Sequence, residues 1–261
     1  MPRGGTRATL APMDGTGPES YGEAFADVYD DWYADVSDTE GTVARLASLA
    51  AGRPVLELGI GTGRLALPLA AAGVAVSGID ASPAMVARLA AKPGGDRIPV
   101  AVGDMADLEA VAPPAGTRFG VVFAAFNTLF NLTDVTAQQR CLRGAAARLA
   151  AEGRVVVEAN VFDPDPDPRE AVTVRSMEPG RVVLSVSRAD PAAQTVTGQF
   201  VDLADGAPVR LRPWSLRYAS PEQLDELAAG AGLVLDGRWG GWRGEPFTDA
   251  SGLHVSQYRL A

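Results

Sequence analysis

The stretch Pro54–Asp80 constrains the fold of this chain more than any other. A short apolar run, Val55–Leu58, leads into three glycines at alternate positions, Gly59, Gly61 and Gly63. A helix-like segment follows, and a second apolar run ends in the acid Asp80. This order predicts a βαβ unit whose tight turn lets the backbone approach a ligand at a helix N-terminus. An acid at the tip of the second strand is placed to accept hydrogen bonds from both hydroxyls of a ribose.

The glycine spacing narrows the choice of nucleotide. A dinucleotide-binding turn reads GxGxxG, and its third glycine would fall at Arg64 or, counted from the second glycine, at Ala66. The pattern here is acid-x-Gly-x-Gly-x-Gly, led by Glu57. It resembles the first motif of the class I S-adenosylmethionine (SAM)-dependent methyltransferases. The resemblance implies SAM as the cofactor, Glu57 and the three glycines as cofactor-binding residues, and Asp80 as the ribose-binding acid. An NAD(P)-dependent oxidoreductase and a non-catalytic SAM-binding protein are the alternatives.

Composition describes a globular protein without affinity for polyanions. The chain has 261 residues, of which 47% are hydrophobic and 21% charged, which is enough for a sizeable core. Its net charge of −9 argues against nucleic acid and anionic membrane as partners, since both require clustered positive charge. Cys141 is the only cysteine, so we expect no disulfide and no metal site. With neither a membrane-span pattern nor a secretory signal, the expected location is the cytoplasm.

The N-terminal region predicts a lid. Residues 1–18 are rich in Gly, Pro and Thr and are expected to be disordered, which leaves 19–162 as the SAM-binding domain. Aromatic residues then recur at helical spacing, which predicts one helix over about residues 20–36. The segment resembles the YxxxYDxxY entry helix of small-molecule methyltransferases. This implies that Tyr21 and Tyr29 contact the methionine end of SAM and that Trp32 or Tyr33 forms a wall of the acceptor pocket. Packing in the core is the alternative.

Later segments complete the expected cofactor site. Ser82-Pro83 predicts a helix start, with Ser as N-cap and Pro in the first turn. A strand over 97–102 ends at Gly103-Asp104-Met105, where the resembled family places an acid on the adenine amino group and a backbone N–H on a ring nitrogen. An ordinary helix cap is the alternative for that acid. The further cofactor-binding residues predicted are Asp104, Met105, Ala81, Met85 and Phe123.

The segment that follows the fourth expected strand (residues 119–125) bears on the identity of the methyl acceptor. Nucleic-acid amino-methyltransferases carry an Asn/Asp-Pro-Pro-aromatic motif here, which holds the flipped base. This chain has Phe126-Asn127-Thr128-Leu129 without proline, so methylation of a nucleobase loses its main support. Asn127 and Thr128 are candidate acceptor-binding residues, or caps of the next helix.

Residues 163–218 break the alternation of strand and helix. Four strands joined by turn signals predict an antiparallel β insertion before the last helix and two strands of 219–261. The insertion would lie over the carboxyl ends of the parallel strands, as an acceptor lid or as the surface of a homodimer.

The final loop, about 240–252, is expected beside the cofactor. Its flanks and interior carry Trp239, Trp242 and Arg243. We predict that these residues bind the acceptor beside the cofactor, because aromatic faces attract the positive charge of the sulfonium of SAM. His254 is the only histidine and is the candidate general base.

The fold that these patterns predict is α/β, with the Rossmann-like seven-stranded mixed sheet of class I methyltransferases, an antiparallel β insertion and an N-terminal helical lid. The segment WGGWRGEPF near the end of the chain and the segment NTLFNL after the fourth expected strand are similar to bacterial natural-product methyltransferases, including peptide α-N-methyltransferases and amino-sugar N-methyltransferases. We therefore expect methylation of a small-molecule or short-peptide acceptor in secondary metabolism such as antibiotic biosynthesis. We expect methylation of nitrogen rather than oxygen, because an amine needs only to bind in its neutral form, whereas a hydroxyl benefits from a base that removes its proton. O-methylation is the alternative.

Overall fold

The computed structural model describes residues 17–34, 36–111, 116–162 and 169–261. The described helices are α1 (Ser20–Phe25), α2 (Tyr29–Trp32), α3 (Thr39–Ala50), α4 (Ala66–Ala71), α5 (Pro83–Ala90), α6 (Leu108–Val111), α7 (Val135–Arg148) and α8 (Pro221–Ala229). The described strands are β1 (Val55–Leu58), β2 (Val76–Asp80), β3 (Val100–Val102), β4 (Phe119–Ala124), β5 (Leu149–Asn160), β6 (Arg169–Glu178), β7 (Arg181–Asp190), β8 (Thr195–Ala204), β9 (Arg210–Arg217), β10 (Leu233–Trp239) and β11 (Leu253–Leu260). The expected disorder of residues 1–18 concerns a segment that lies almost wholly outside the described residues.

The main sheet has seven strands in the order β10-β11-β5-β4-β1-β2-β3. Strands β1 to β5 pair in parallel, whereas β11 runs antiparallel to both β5 and β10. This confirms the predicted Rossmann-like mixed sheet. The chain leaves β1 toward β2 on one side and returns to β4 on the other, so the strand order reverses at β1. In open α/β sheets, ligands bind at the carboxyl ends of the strands beside such a reversal.

Helices cover both faces of this sheet. Helices α7 and α8 pack on one face in a core around Leu56, Phe119 and Tyr258. Helices α3, α4 and α5 pack on the other face around Leu46 and Leu69. Strands β1 and β4 are buried along their whole length, which explains why both read as continuous apolar runs. No helix in the described ranges has the length and apolarity needed to cross a membrane.

Strands β6 to β9 form a separate four-stranded antiparallel sheet in sequential order, which we call the second sheet. One of its faces contributes Val183 and Phe200 to a core that also contains Phe25, Tyr33 and Met85. The N-terminal lid, residues 17–34, therefore packs between the second sheet and the cofactor-binding part of the main sheet.

Two local predictions are wrong. The single helix over residues 20–36 is two short helices, α1 and α2, with a break at which Asp27 meets two arginines of β9. The amphipathic pattern of residues 135–151 predicts one helix, but α7 ends earlier, at Arg148, and β5 begins at once. Gly153 does not end the helix but lies within β5. The position requires glycine because a Cβ there would lie 2.7 Å from the Phe119 carbonyl oxygen.

Candidate active site

A cavity of about 440 Å³ opens at the carboxyl ends of β1, β2 and β4, under the lid and the inner face of the second sheet. This volume is in the range of small-molecule sites. Twelve of the residues predicted from the sequence line it: Tyr21, Tyr29, Tyr33, Gly59, Gly61, Asp80, Ala81, Met85, Asp104, Met105, Asn127 and Thr128. We call the part beside the glycine turn and the tips of β2 and β3 the cofactor half. The part formed by the β4 and β5 tips and the second sheet is the acceptor half.

The glycine turn is shaped for close approach of a ligand. Gly59 and Gly61 have positive φ angles of 64° and 56°. A Cβ on Gly59 would lie 2.6 Å from a methyl carbon of Thr128, so a side chain at this position is excluded both by conformation and by space. The turn thus needs its glycines for its own geometry before any cofactor is considered.

Asp80 is held rigidly at the tip of β2. Its two carboxylate oxygens accept the Gly61 N–H at 2.8 Å and the Ser82 N–H at 2.9 Å. Burial raises the pKa of Asp80, and these two backbone hydrogen bonds oppose the rise. Each oxygen retains a lone pair for a ribose hydroxyl, so the residue fits the role that the sequence predicts.

Asp104 is a helix cap, and its position is also compatible with the predicted contact to the adenine. One carboxylate oxygen accepts the Ala106 N–H at 2.8 Å and caps a short 3₁₀ helix, and the residue also lines the cavity. With Ile79, Met85 and Met105 as apolar walls, this end of the cofactor half suits a flat base with a polar edge. The residues present therefore fit SAM.

Three lid tyrosines close the cavity. The Tyr21 hydroxyl donates to the Tyr33 hydroxyl at 3.2 Å, and the rings of Tyr29 and Tyr33 stack with centroids 4.7 Å apart. Burial raises the pKa of Tyr29 to about 12 and that of Tyr21 well above its usual value. The phenols of Tyr21 and Tyr29 are therefore neutral hydrogen-bonding groups at neutral pH rather than bases.

Three lid acids fix the lid in place. Glu23 accepts from the Ser82 hydroxyl at 2.7 Å, and Asp30 accepts from the Thr62 hydroxyl at 2.5 Å and from Lys92 Nζ at 2.8 Å. Asp27 accepts from Arg212 of the second sheet at 2.5 and 3.0 Å. The lid is thus joined to the cofactor turn on one side and to the second sheet on the other.

The turn after β4 is strained. Phe126 and Asn127 both have positive φ, at 45° and 61°, which is unusual for one bulky residue and rarer for two in succession. The buried side chain of Glu158 accepts the Phe126 N–H at 2.7 Å, and its backbone carbonyl accepts the Asn127 N–H at 3.1 Å. The Asn127 side-chain oxygen in turn accepts the Asn160 N–H at 2.8 Å. These bonds hold Phe126 and Asn127 on the cavity wall.

The acceptor half is aromatic and carries one described charged side chain. Its rings come from Phe126, Phe162, Phe200 and Trp214, and amides come from Asn127, Asn131 and Asn160. The charge is that of Arg175, whose guanidinium lies 4.9 Å from the Trp32 ring centroid and 5.0 Å from that of Phe200. Arg175 forms no ion pair with a described carboxylate; it donates to the Trp32 carbonyl at 2.7 Å. Of the two residues predicted to form a wall of the acceptor pocket, Tyr33 lines the cavity and Trp32 lies behind it.

Three predicted cofactor residues do not line the cavity. Glu57 is 5% exposed beneath the turn, and burial raises its pKa to about 8, although Arg64 opposes the rise. Gly63 faces Leu89, 2.4 Å from where its Cβ would lie, and Phe123 is fully buried in the core of the main sheet.

The aromatic loop after β10 is also away from the cavity. The guanidinium carbon of Arg45 lies 3.8 Å from the centroid of the Trp239 ring, and Trp242 is in the core with 5% of its surface exposed. Arg243 forms an ion pair with Asp38, with Nε 2.6 Å from a carboxylate oxygen. The reason is strand order, because β10 is the edge strand and stands three strands from β4, or about 14 Å. The prediction that these residues bind the acceptor is contradicted.

His254 is not placed to act as a base. It is fully buried, its Nδ1 is 2.9 Å from the Ser256 hydroxyl, and it is not on the cavity wall. Burial, then the charge of Arg238, lowers its pKa to about 4. We interpret His254 as a neutral structural residue.

Comparison with known proteins identifies the family. Residues 55–153 match a methyltransferase domain. The cypemycin N-terminal methyltransferase of a Streptomyces species is 30% identical over 242 residues, which cover 90% of this chain and 95% of that protein. The chain belongs to the SAM-dependent methyltransferases. This methyltransferase is also similar to the solved CcbJ methyltransferase of Streptomyces caelestis, with 39% identity, a TM-score of 0.84, and coverage of 94% of this chain and 99% of that one.

A more distant structure shares the fold. The SAM-bound amino pentose methyltransferase CalS10 of Micromonospora echinaspora is 23% identical, with a TM-score of 0.63 and coverage of 88% of this chain and 96% of that one. Together the comparisons confirm a class I enzyme of the natural-product type with SAM as cofactor, and they exclude the oxidoreductase alternative.

Sequence reasoning missed most of the acceptor half. Glu158, Arg175, Phe200 and Trp214 belong to no recognisable motif, because each lies on a strand whose inward face is fixed only by tertiary packing. The double positive φ at residues 126 and 127 has no local signal either, apart from the tolerance of Asn for the left-handed region.

Proposed function

We propose that this methyltransferase transfers the methyl group of SAM to a neutral amine nitrogen on a small natural-product acceptor. The observation that carries the proposal is the chemistry of the acceptor half. Its described residues offer aromatic rings, amides and one guanidinium, and the lid beside it adds the neutral phenols of Tyr21 and Tyr29. None of these groups removes a proton at neutral pH.

The described residues of the acceptor half provide no base, and this favours nitrogen over oxygen as the methylated atom. When bound, SAM supplies a methyl group on a positively charged sulfur, which is already activated toward displacement. A neutral amine attacks with its own lone pair, whereas a hydroxyl of ordinary acidity gains from proton removal. The acceptor half thus provides orientation and exclusion of water, and these are sufficient for an amine.

The charge of Arg175 acts in the same direction. A guanidinium facing the acceptor disfavours a second positive charge nearby, so it lowers the pKa of a bound amine and favours the nucleophilic, neutral form. It also offers two parallel N–H groups to a carboxylate or other anionic group on the acceptor. We therefore propose an amine acceptor with an apolar body and polar substituents.

The roles of the other residues follow from their positions. Asp80 would hold the ribose, Asp104 the base edge, and the lid tyrosines would cover the sulfonium end, where π faces attract positive charge. The similarity to the cypemycin N-terminal methyltransferase supports the choice of nitrogen.

Matched pairs of acceptors test this proposal. Amines and their hydroxyl isosteres, drawn from amino sugars and short peptides, are incubated with labelled SAM, and the site of methylation is read by tandem mass spectrometry. We expect turnover of amines only, with a kcat/KM that rises with pH according to the pKa of each acceptor. Preferential methylation of the hydroxyl members would overturn the assignment to nitrogen.

A further inference from the structure

The second sheet has two faces of different character. Side chains alternate between the faces along each strand, and Phe200, Arg212 and Trp214 point inward to the lid and cavity. The residues between them point away from the protein body. We call this second surface the outer face.

The outer face is apolar and exposed. Its most exposed side chains are Met177 at 76%, Val172 at 67%, Val174 at 61% and Leu211 at 58%. The strand register aligns Val174 with Leu184, Leu184 with Val201, and Val201 with Leu211, so one apolar row crosses all four strands. Adjacent rows add Val172 beside Val186, and Val182 beside Leu203. The exposed residues therefore form one contiguous patch rather than isolated positions.

Charged groups are confined to one end of this patch, where Glu170 pairs with Arg188. The three central rows contain none, although 21% of the chain is charged. A large contiguous apolar patch without internal charges is typical of an interaction site. Covering it requires no desolvation of ionised groups.

The parts of the chain outside the described residues are too poor in apolar side chains to cover this patch. Residues 1–16 contain a single leucine and two methionines, and residues 163–168 consist only of Asp and Pro. A second copy of this chain, by contrast, carries an apolar surface of matching size and character.

We propose that the outer face is the interface of a homodimer in which two copies pack outer face against outer face. Two antiparallel sheets pack face to face readily, and a two-fold axis brings each apolar row against its equivalent. Strands of 8 to 10 residues give a face of about 30 Å by about 19 Å. The dimer would thus bury about 600 Å² on each copy and about 1,200 Å² in total, which reaches the size of a stable specific interface.

The dimer has a consequence for the acceptor half. Arg175, Phe200 and Trp214 lie on the same strands as the outer-face residues. Packing of the outer face would therefore also fix the strands that form the acceptor wall.

Charge insertion tests the interface. Val174→Lys and Leu211→Lys each place a cation in the central row, while Leu235→Lys is the matched control, since Leu235 is 42% exposed on the edge of the main sheet. In light scattering coupled to size exclusion, we expect the unaltered protein and the control at twice the chain mass of 27.1 kDa. The two outer-face variants should elute at the single-chain mass with unchanged circular dichroism. A single-chain mass for the unaltered protein at micromolar concentration, or dimers of both outer-face variants, would overturn the proposal.

Cross-linking provides a measurement that does not depend on destabilised variants. Val201→Cys places a thiol in the middle of the outer face, and the native Cys141 is buried. A short bismaleimide should cross-link Val201→Cys into a species of twice the mass and leave Leu235→Cys at the single-chain mass. Equal cross-linking of the two variants would contradict an interface at this face.

Discussion

Glu158→Ala would remove the carboxylate that holds the turn after β4. The lost bond is a charge-assisted hydrogen bond to the Phe126 N–H at 2.7 Å, in a buried setting. Such a bond contributes about 1.5–3 kcal/mol. The two residues with positive φ, Phe126 and Asn127, store about 1–3 kcal/mol of strain each. Because the restraint and the strain are of similar size, we expect the turn to relax when the carboxylate is removed.

The expected result is a selective loss of catalysis. A displacement of about 1 Å at the acceptor wall lowers the rate about 100-fold, so kcat/KM for the acceptor should fall by one to two orders of magnitude. The dissociation constant of S-adenosylhomocysteine, measured by titration calorimetry, should change by less than about threefold, because the altered carboxylate does not line the cofactor half.

A double variant separates strain from simple destabilisation. Asn127→Gly removes most of the left-handed strain at one position. It also removes the side-chain oxygen that accepts the Asn160 N–H. Because both substitutions act on the same turn, we expect their effects on the unfolding free energy, measured by urea denaturation, to be non-additive. Additive losses in the double variant, or unchanged acceptor kinetics in Glu158→Ala, would refute the role of Glu158 as the restraint on a strained turn.

Three other substitutions give distinct outcomes. Asp80→Ala should weaken S-adenosylhomocysteine binding by about 10–100-fold in calorimetry, since it strands two ribose hydroxyls; unchanged affinity would contradict the ribose assignment. Arg175→Met should raise the acceptor KM and shift the rising limb of its pH profile to higher pH, with cofactor affinity retained. His254 has its pKa lowered from 6.5 to about 4, so the unfolded state binds more protons between these values and stability falls as the pH drops. At pH 5 the loss is about 2 kcal/mol relative to pH 7. His254→Gln should lack this part of the acid destabilisation in urea titrations, and an equal pH dependence would contradict it.

The sequence was sufficient for the fold and much of the cofactor half because both depend on local order. The glycine turn, Asp80 and Asp104 each stand at a strand tip, and parallel strands bring their carboxyl ends to one edge of the sheet. Glu57 shows the limit of such reasoning, since its motif position is correct yet its side chain lies beneath the turn.

The acceptor half depends on information that periodicity does not carry. Trp242 and His254 were expected near the cofactor because their loop follows a strand tip, but the distance across the sheet depends on strand order. Arg175 and Trp214 became recognisable only when the inward face of the second sheet was known. The break between α1 and α2 likewise follows from a long-range ion pair of Asp27 that no local pattern reports.

The two attachments of the lid have a consequence for engineering this enzyme. Glu23 and Asp30 join it to the cofactor turn, and Asp27 joins it to the second sheet. Redesign of the cavity-lining positions on β6 and β9, which do not include Arg212, should therefore alter the choice of acceptor while cofactor affinity is conserved. Changes within the lid should alter both properties together, so libraries for new acceptors are best placed on the strands and not on the lid.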